Sequence, residues 1–154
     1  AWHYVPVVLP PGDLDPRIDF TRDAQHLRAL DVNNDHLVDV VRTNGTGIQT
    51  WLNLGWIPGG DGRFGSAHHD GTAWVMSTEP TESCLLFEGT LLDFEDPEVR
   101  LADMNGDGLQ DIAKIRRGRM YYWPGRGLGI WGEGSFECAR GEGAGRAVRL
   151  VVVG

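Results

Sequence analysis

One nine-residue pattern occurs twice in this chain, and it restricts the fold more than anything else in the sequence. The first copy is Asp31-Val-Asn33-Asn-Asp35-His-Leu37-Val-Asp39, and the second is Asp103-Met-Asn105-Gly-Asp107-Gly-Leu109-Gln-Asp111. Oxygen-bearing side chains stand at positions 1, 3, 5 and 9 of both. Three carboxylates brought together without a counter-charge repel one another. Ca²⁺ takes six to eight oxygens at about 2.3–2.6 Å, and a tight loop with ligands on alternate residues wraps them round one ion. The pattern therefore implies two Ca²⁺ sites. Asx-rich turns without metal are the alternative for a single copy. Two copies in one register favour the ion.

The copies are 72 residues apart, and the offset extends beyond the loops. Arg28–Phe64 aligns with Arg100–Phe136 without a gap, with eleven identical positions. Besides the four ligand positions these are Arg28/Arg100, Leu37/Leu109, Trp51/Trp123, Gly55/Gly127, Gly60/Gly132, Gly62/Gly134 and Phe64/Phe136. A fixed period with matched turn and core residues is the mark of a repeat architecture.

The residues after each loop separate strand from helix. An EF-hand continues into a helix and places an acid at position 12. Here position 12 is Arg42 or Lys114, and a cation opposes Ca²⁺. This disfavours an EF-hand or a dockerin. Val40–Thr43 and Ile48–Leu52 flank Asn44-Gly45, a strong hairpin signal. Ile112–Ile115 and Met120–Trp123 flank a turn through Gly118. Each motif thus runs from loop to strand. Position 6 is Gly108 in the second loop but His36 in the first. Gly suits the sharp turn there, so the second site is expected to be the tighter.

Glycine is 22 of 154 residues, about twice the average usage, which fits short strands joined by tight turns. Further strands are expected at Trp2–Leu9, Leu27–Leu30, Ala73–Met76, Leu85–Phe87 and Val148–Val153, with glycine-rich turns at Gly55–Gly62 and Gly141–Gly145. About four strands per period is the content of a propeller blade, and known propellers use roughly four to eight blades. Two blades cannot close a ring. The expected organisation is a first blade over 1–66, a second over 67–138, and a turn with a terminal strand over 139–154. Other chains or further polypeptide would supply the missing blades.

Leu101-Ala-Asp-Met-Asn-Gly-Asp-Gly-Leu-Gln-Asp-Ile112, followed by Gly118-Arg-Met-Tyr-Tyr-Trp-Pro-Gly125, resembles the FG-GAP/VCBS repeat, the calcium-loop blade of integrin α-subunit propellers. The likeness is closest to the bacterial branch, in the B components of insecticidal toxin complexes and SpvB-like virulence proteins. It covers about half the chain. The resemblance implies an all-β, propeller-type fold in a secreted or cell-surface protein, with Ca²⁺ rigidifying each blade. It implies as ligands Asp31, Asn33, Asp35, Asp39 and the carbonyl of Leu37, and Asp103, Asn105, Asp107, Asp111 and the carbonyl of Leu109.

A net charge of −8 makes nucleic acid and anionic membranes poor partners, and no apolar run approaches the roughly 18 residues of a membrane span. The chain lacks a signal peptide and an initial Met, as expected of a mature product or an excised piece. Cys84 and Cys138 leave two readings open: a disulfide in an exported protein, or two buried thiols.

Trp51 and Trp123, equivalent by repeat, are expected to pack between blades. Trp56 and Trp131 lie in glycine-rich turns; partial burial is the expectation for them, and sugar stacking by exposed rings is the lesser reading. His68-His69-Asp70 reads as a solvated loop rather than a metal site. Gly125-Arg-Gly-Leu-Gly-Ile130 lacks the third glycine of a dinucleotide fingerprint. No nucleophile elbow or phosphate loop is present, so an enzyme is not expected. The sequence points to a calcium-binding structural or adhesive module that partners a protein or further blades. The alternative is a carbohydrate-binding module that completes a ring by oligomerising.

Overall fold

The computed structural model describes residues 23–44, 47–56, 62–87, 90–132 and 148–150. Every described element is a β-strand. The strands are β1 (Leu27–Leu30), β2 (Asp39–Asn44), β3 (Gly47–Trp56), β4 (Gly62–His69), β5 (Trp74–Ser77), β6 (Thr81–Ser83), β7 (Leu86–Phe87), β8 (Thr90–Leu91), β9 (Val99–Ala102), β10 (Asp111–Arg116), β11 (Arg119–Trp123) and β12 (Val148–Leu150). The stretches Trp2–Leu9 and Gly141–Gly145, Cys138, and residues 151–153 of the expected final strand lie outside the described residues.

Two four-stranded antiparallel units share one plan. In the first, β1, β2, β3 and β6 are neighbours in that order; in the second, β9, β10, β11 and β12 are. The registers correspond across the 72-residue offset. Leu30 faces Asp39 as Ala102 faces Asp111, and Val40 faces Trp51 as Ile112 faces Trp123. The fourth strand sits at equivalent places too: β6 against 48–50 of β3 and β12 against 120–122 of β11. Sheet pairing therefore runs past residue 66 in the first unit and past 138 in the second. β3 continues beyond β6 to pair with β4, which pairs in turn with β5, so the first sheet has six strands. β7 and β8 form a separate hairpin.

Local chemistry accounts for the strands. Val40 and Val41 face opposite sides of β2 and both are buried, as are Asp111 to Lys114 of β10. Strands covered on both faces read as apolar runs rather than alternation. The β10–β11 hairpin turns through Arg117 and Gly118, with φ of 51° and 70°. Two left-handed residues make the primed two-residue turn that matches strand twist, and glycine takes one of them without strain.

The main core lies between the units. Val41, Ile48 and Leu52 of the first pack with Val99, Ile112 and Trp123 of the second, and Leu85, Phe94 and Trp131 from connecting segments join them. Trp123 is fully buried, and truncating such a ring to alanine costs about 3–5 kcal/mol. Trp51 is buried as well, but in a smaller cluster with Leu27 and Val40. Those three residues are the 72-residue counterparts of Val99, Ile112 and Trp123. The corresponding face of each unit is thus built alike, and in the second unit it packs against the first.

Trp131 lies deeper than the partial burial expected of it. It is buried, and its indole N–H donates to Thr50 Oγ1 at 3.0 Å, which joins the units. The side chain of Trp56 lies outside the described residues. The exposed ring is Trp74 on β5, set edge-on to His69 with centroids 5.5 Å apart. His68 and His69 also depart from the loop reading, since both end β4, though both are exposed. Among the described residues no helix is long and apolar enough to cross a membrane.

Candidate metal-binding loops

Each loop connects the first two strands of its unit, and its acids organise the main chain. Asp31 accepts from the N–H of His36 at 2.9 Å, as Asp103 does from Gly108 at 3.0 Å. Asn33 accepts from Asp35 N at 3.2 Å and Asn105 from Asp107 N at 2.9 Å. Asp35 and Asp107 accept from Leu37 N and Leu109 N, both at 2.8 Å. The amides of Asn33 and Asn105 donate to Asp35 and Asp107, both at 2.9 Å. Only the second bond of the position-1 acid differs. Asp31 takes Asp35 N at 3.2 Å, whereas Asp103 takes Gly106 N at 2.7 Å.

The position-9 acids work at a different depth. Asp39 and Asp111 are fully buried. One oxygen of Asp39 accepts from Val32 N at 2.9 Å and the other from Asn53 N at 2.7 Å. Asp111 does the same with Met104 N and Gly125 N, both at 2.8 Å. Each carboxylate thereby ties the start of its loop to the chain at or just past the third strand. A Cβ on Gly125 would stand 2.1 Å from the carbonyl oxygen of Gln110, so only glycine brings that N–H so close.

Electrostatics follow from these contacts. Burial pushes the Asp39 carboxyl above its ordinary value, with Asp35 and Asp31 adding repulsion against the lowering effect of two N–H donors. The Gly106 and Gly108 N–H groups hold the Asp103 carboxyl below its ordinary value.

The backbone conformations also correspond. Positions 4 and 6 are left-handed in both loops, at φ 61° and 69° for Asn34 and His36 and 81° and 86° for Gly106 and Gly108. The need at position 6 was legible in the sequence; the need at position 4 was not. The loops are neighbours. A Cβ on Gly108 would meet the Asn34 side-chain amide at 3.2 Å.

All ten residues expected as ligands lie in the two loops, and the donor set is hard oxygen throughout, which suits Ca²⁺. An oxygen that accepts one N–H keeps a further lone pair. The acids here are spread over main-chain donors rather than clustered. Among the described residues, the one trio of His, Cys, Asp or Glu with ligand atoms all within 4.8 Å of one another is His26, Asp93 and Glu95. That trio carries no sequence motif, because its members are brought together only by the fold. Cys84 is disulfide-bonded; Cys138, the chain's other cysteine, lies outside the described residues.

Comparison with known proteins finds no matching family model, no matching curated protein and no matching solved structure.

Proposed function

We propose that this chain is a calcium-binding pair of propeller-type blades with a structural or adhesive role in an exported protein of toxin-complex-like character. One observation carries the reading: two loops with the same acids, hydrogen-bond maps that differ in one bond of the position-1 acid, and the same left-handed positions, each placed between the first two strands of a four-stranded unit. The acids hold the loop main chain, and three carboxylates gathered twice in one register also offer charge that a cation would offset.

Asp31, Asn33, Asp35, Asp39 and the Leu37 carbonyl would hold one ion. Asp103, Asn105, Asp107, Asp111 and the Leu109 carbonyl would hold the other. Bound Ca²⁺ supplies positive charge that offsets the repulsion among three acids. The residues themselves set the register, because Asp39 and Asp111 anchor each loop to the chain beyond its hairpin. Gly106 and Gly108 let the second loop adjust without side-chain strain, which favours the tighter site there. A disulfide at Cys84 suits an oxidising, extracellular setting, where calcium is plentiful. The repeated Trp51 and Trp123 faces suit unit-on-unit stacking, with the remaining blades or a protein partner on the outer faces.

Calcium calorimetry on chelator-stripped protein, with native mass measured alongside, tests this. The expected result is two unequal sites and a higher melting temperature with the ion. No heat and no thermal shift overturn the calcium reading. The alternative is a carbohydrate-binding module assembled by oligomerising, favoured by the exposed Trp74 ring. A ring-sized mass together with a hit in a glycan screen would select it.

A further inference from the structure

His26 stands just before β1, Thr43 lies in β2, and Asp93 and Glu95 lie in the segment between β8 and β9. The ligand atoms of His26, Asp93 and Glu95 all fall within 4.8 Å of one another. His26 Nδ1 is 3.3 Å from Asp93 Oδ1 and 3.4 Å from Thr43 Oγ1. Both separations are long for hydrogen bonds, which centre near 2.9 Å.

Asp93 is already oriented for such a role. Thr43 Oγ1 and the Glu95 N–H both donate to its Oδ1, at 3.0 Å and 3.1 Å, which holds the carboxylate and leaves Oδ2 as the oxygen with lone pairs for an ion. Outer partners of this kind fix ligating carboxylates in metal sites. The side chains of His26 and Asp93 are 39% and 43% exposed, so an ion has a path in.

The fold itself does not require this cluster. At the equivalent place in the second unit the same main-chain bond forms: Ile115 N to Glu98 O at 3.0 Å, matching Thr43 N to His26 O at 3.0 Å. The side chains there are a glutamate and an isoleucine, with no imidazole. The chemistry at residues 26 and 43 is therefore specific to the first unit.

We propose that His26, Asp93 and Glu95 form a third metal site, for a borderline divalent ion of the Zn²⁺ class, with water in the fourth position. One nitrogen with two carboxylates suits Zn²⁺, whereas the all-oxygen loops suit Ca²⁺. A bound ion would fasten the β1–β2 end of the first unit to the segment that leads into the second.

The test keeps the protein in excess CaCl₂, so that the loops are occupied, and titrates ZnCl₂ by calorimetry and CoCl₂ by visible absorption. One saturable site and the intense bands of tetrahedral Co²⁺ are expected. Glu95→Gln, at an exposed position, is expected to weaken Zn²⁺ binding tenfold or more with unchanged melting of the metal-free protein. His26→Ala is expected to abolish binding. Asp103→Ala, and the pair His68→Ala with His69→Ala, are expected to leave it intact. The proposal is overturned if Zn²⁺ uptake is absent at micromolar concentration, persists unchanged in Glu95→Gln and His26→Ala, or tracks the loop or the His68/His69 variants instead.

Discussion

The loop at 31–39 and the loop at 103–111 take one path with different residues at the strained positions. Both are left-handed at positions 4 and 6, but the first uses Asn34 and His36 where the second uses Gly106 and Gly108. The acids keep the same partners in both, except that Asp31 takes the N–H of position 5 where Asp103 takes that of position 4. The path is therefore imposed by carboxylates that collect main-chain N–H groups, and glycine only lowers its cost. The first loop is the more revealing one, because it adopts the turn without glycine at either left-handed position.

Removing the position-9 anchors should have the largest effect. Asp39→Ala and Asp111→Ala each delete two hydrogen bonds from main-chain N–H to a buried carboxylate. At about 1.5–3 kcal/mol for each charged bond, denaturant unfolding should register a loss of about 3 kcal/mol or more for each variant, even without calcium. A loss confined to one variant would mean that the two loops are not held alike.

Calcium itself comes next. An ion at a hundred times its dissociation constant stabilises the folded state by about 2.7 kcal/mol for one site. Calorimetry should lose the tighter site in Asp107→Ala and the weaker one in Asp35→Ala. Equal affinities in the unaltered protein would remove the distinction drawn from glycine.

Exchanging the position-6 residues probes strain directly. Gly108→His places a side chain at φ 86° with its Cβ 3.2 Å from the Asn34 amide, and should destabilise by about 1–2 kcal/mol. His36→Gly should stabilise by about 0.5–1 kcal/mol, the strain relieved less the entropy glycine loses on folding. That gain should appear without the ion, since His36 already holds φ 69°. Thermal melts with and without calcium would separate strain met on folding from strain met on binding.

The smallest effect is on pH dependence. The Asp103 carboxyl is held below its ordinary value of 3.8, so its contribution is present above that value and lost as pH falls through its folded pKa. The Asp39 carboxyl is raised, so its contribution favours folding below 3.8 and is lost as pH rises through its folded pKa. Acidifying calcium-free protein should loosen the second loop while easing the first. Amide shifts of Gly106 and Gly108 against Val32 and Asn53, monitored by NMR, would read the two directions.

Much of this was legible in the residues. The acids, the offset and the β-branched runs at Val40–Val41 and Ile112–Ile115 locate the loops and the hairpins behind them, because each signal is local. The strands between the units were not all legible. β6 is Thr-Glu-Ser and has no apolar pattern; pairing with β3 makes it a strand. β4 carries glycines and adjacent histidines that suggest loop, yet it lies antiparallel to both β3 and β5. Trp131 sits among glycines, a setting that gives no sign of full burial, yet the tertiary fold carries its ring to Thr50. Burial of that kind is decided by a segment distant in sequence, and no window around residue 131 contains it.

The Asn34 amide lies close enough to Gly108 that a Cβ there would meet it at 3.2 Å, so the two proposed ion sites are adjoining. Whatever stills one narrows the motion open to the other, and an occupant of either alters what its neighbour meets on arrival. A titration of this molecule should then depart from the sum of two separate isotherms, and Asn34→Gly, by opening a gap between the sites, should bring it back toward that sum.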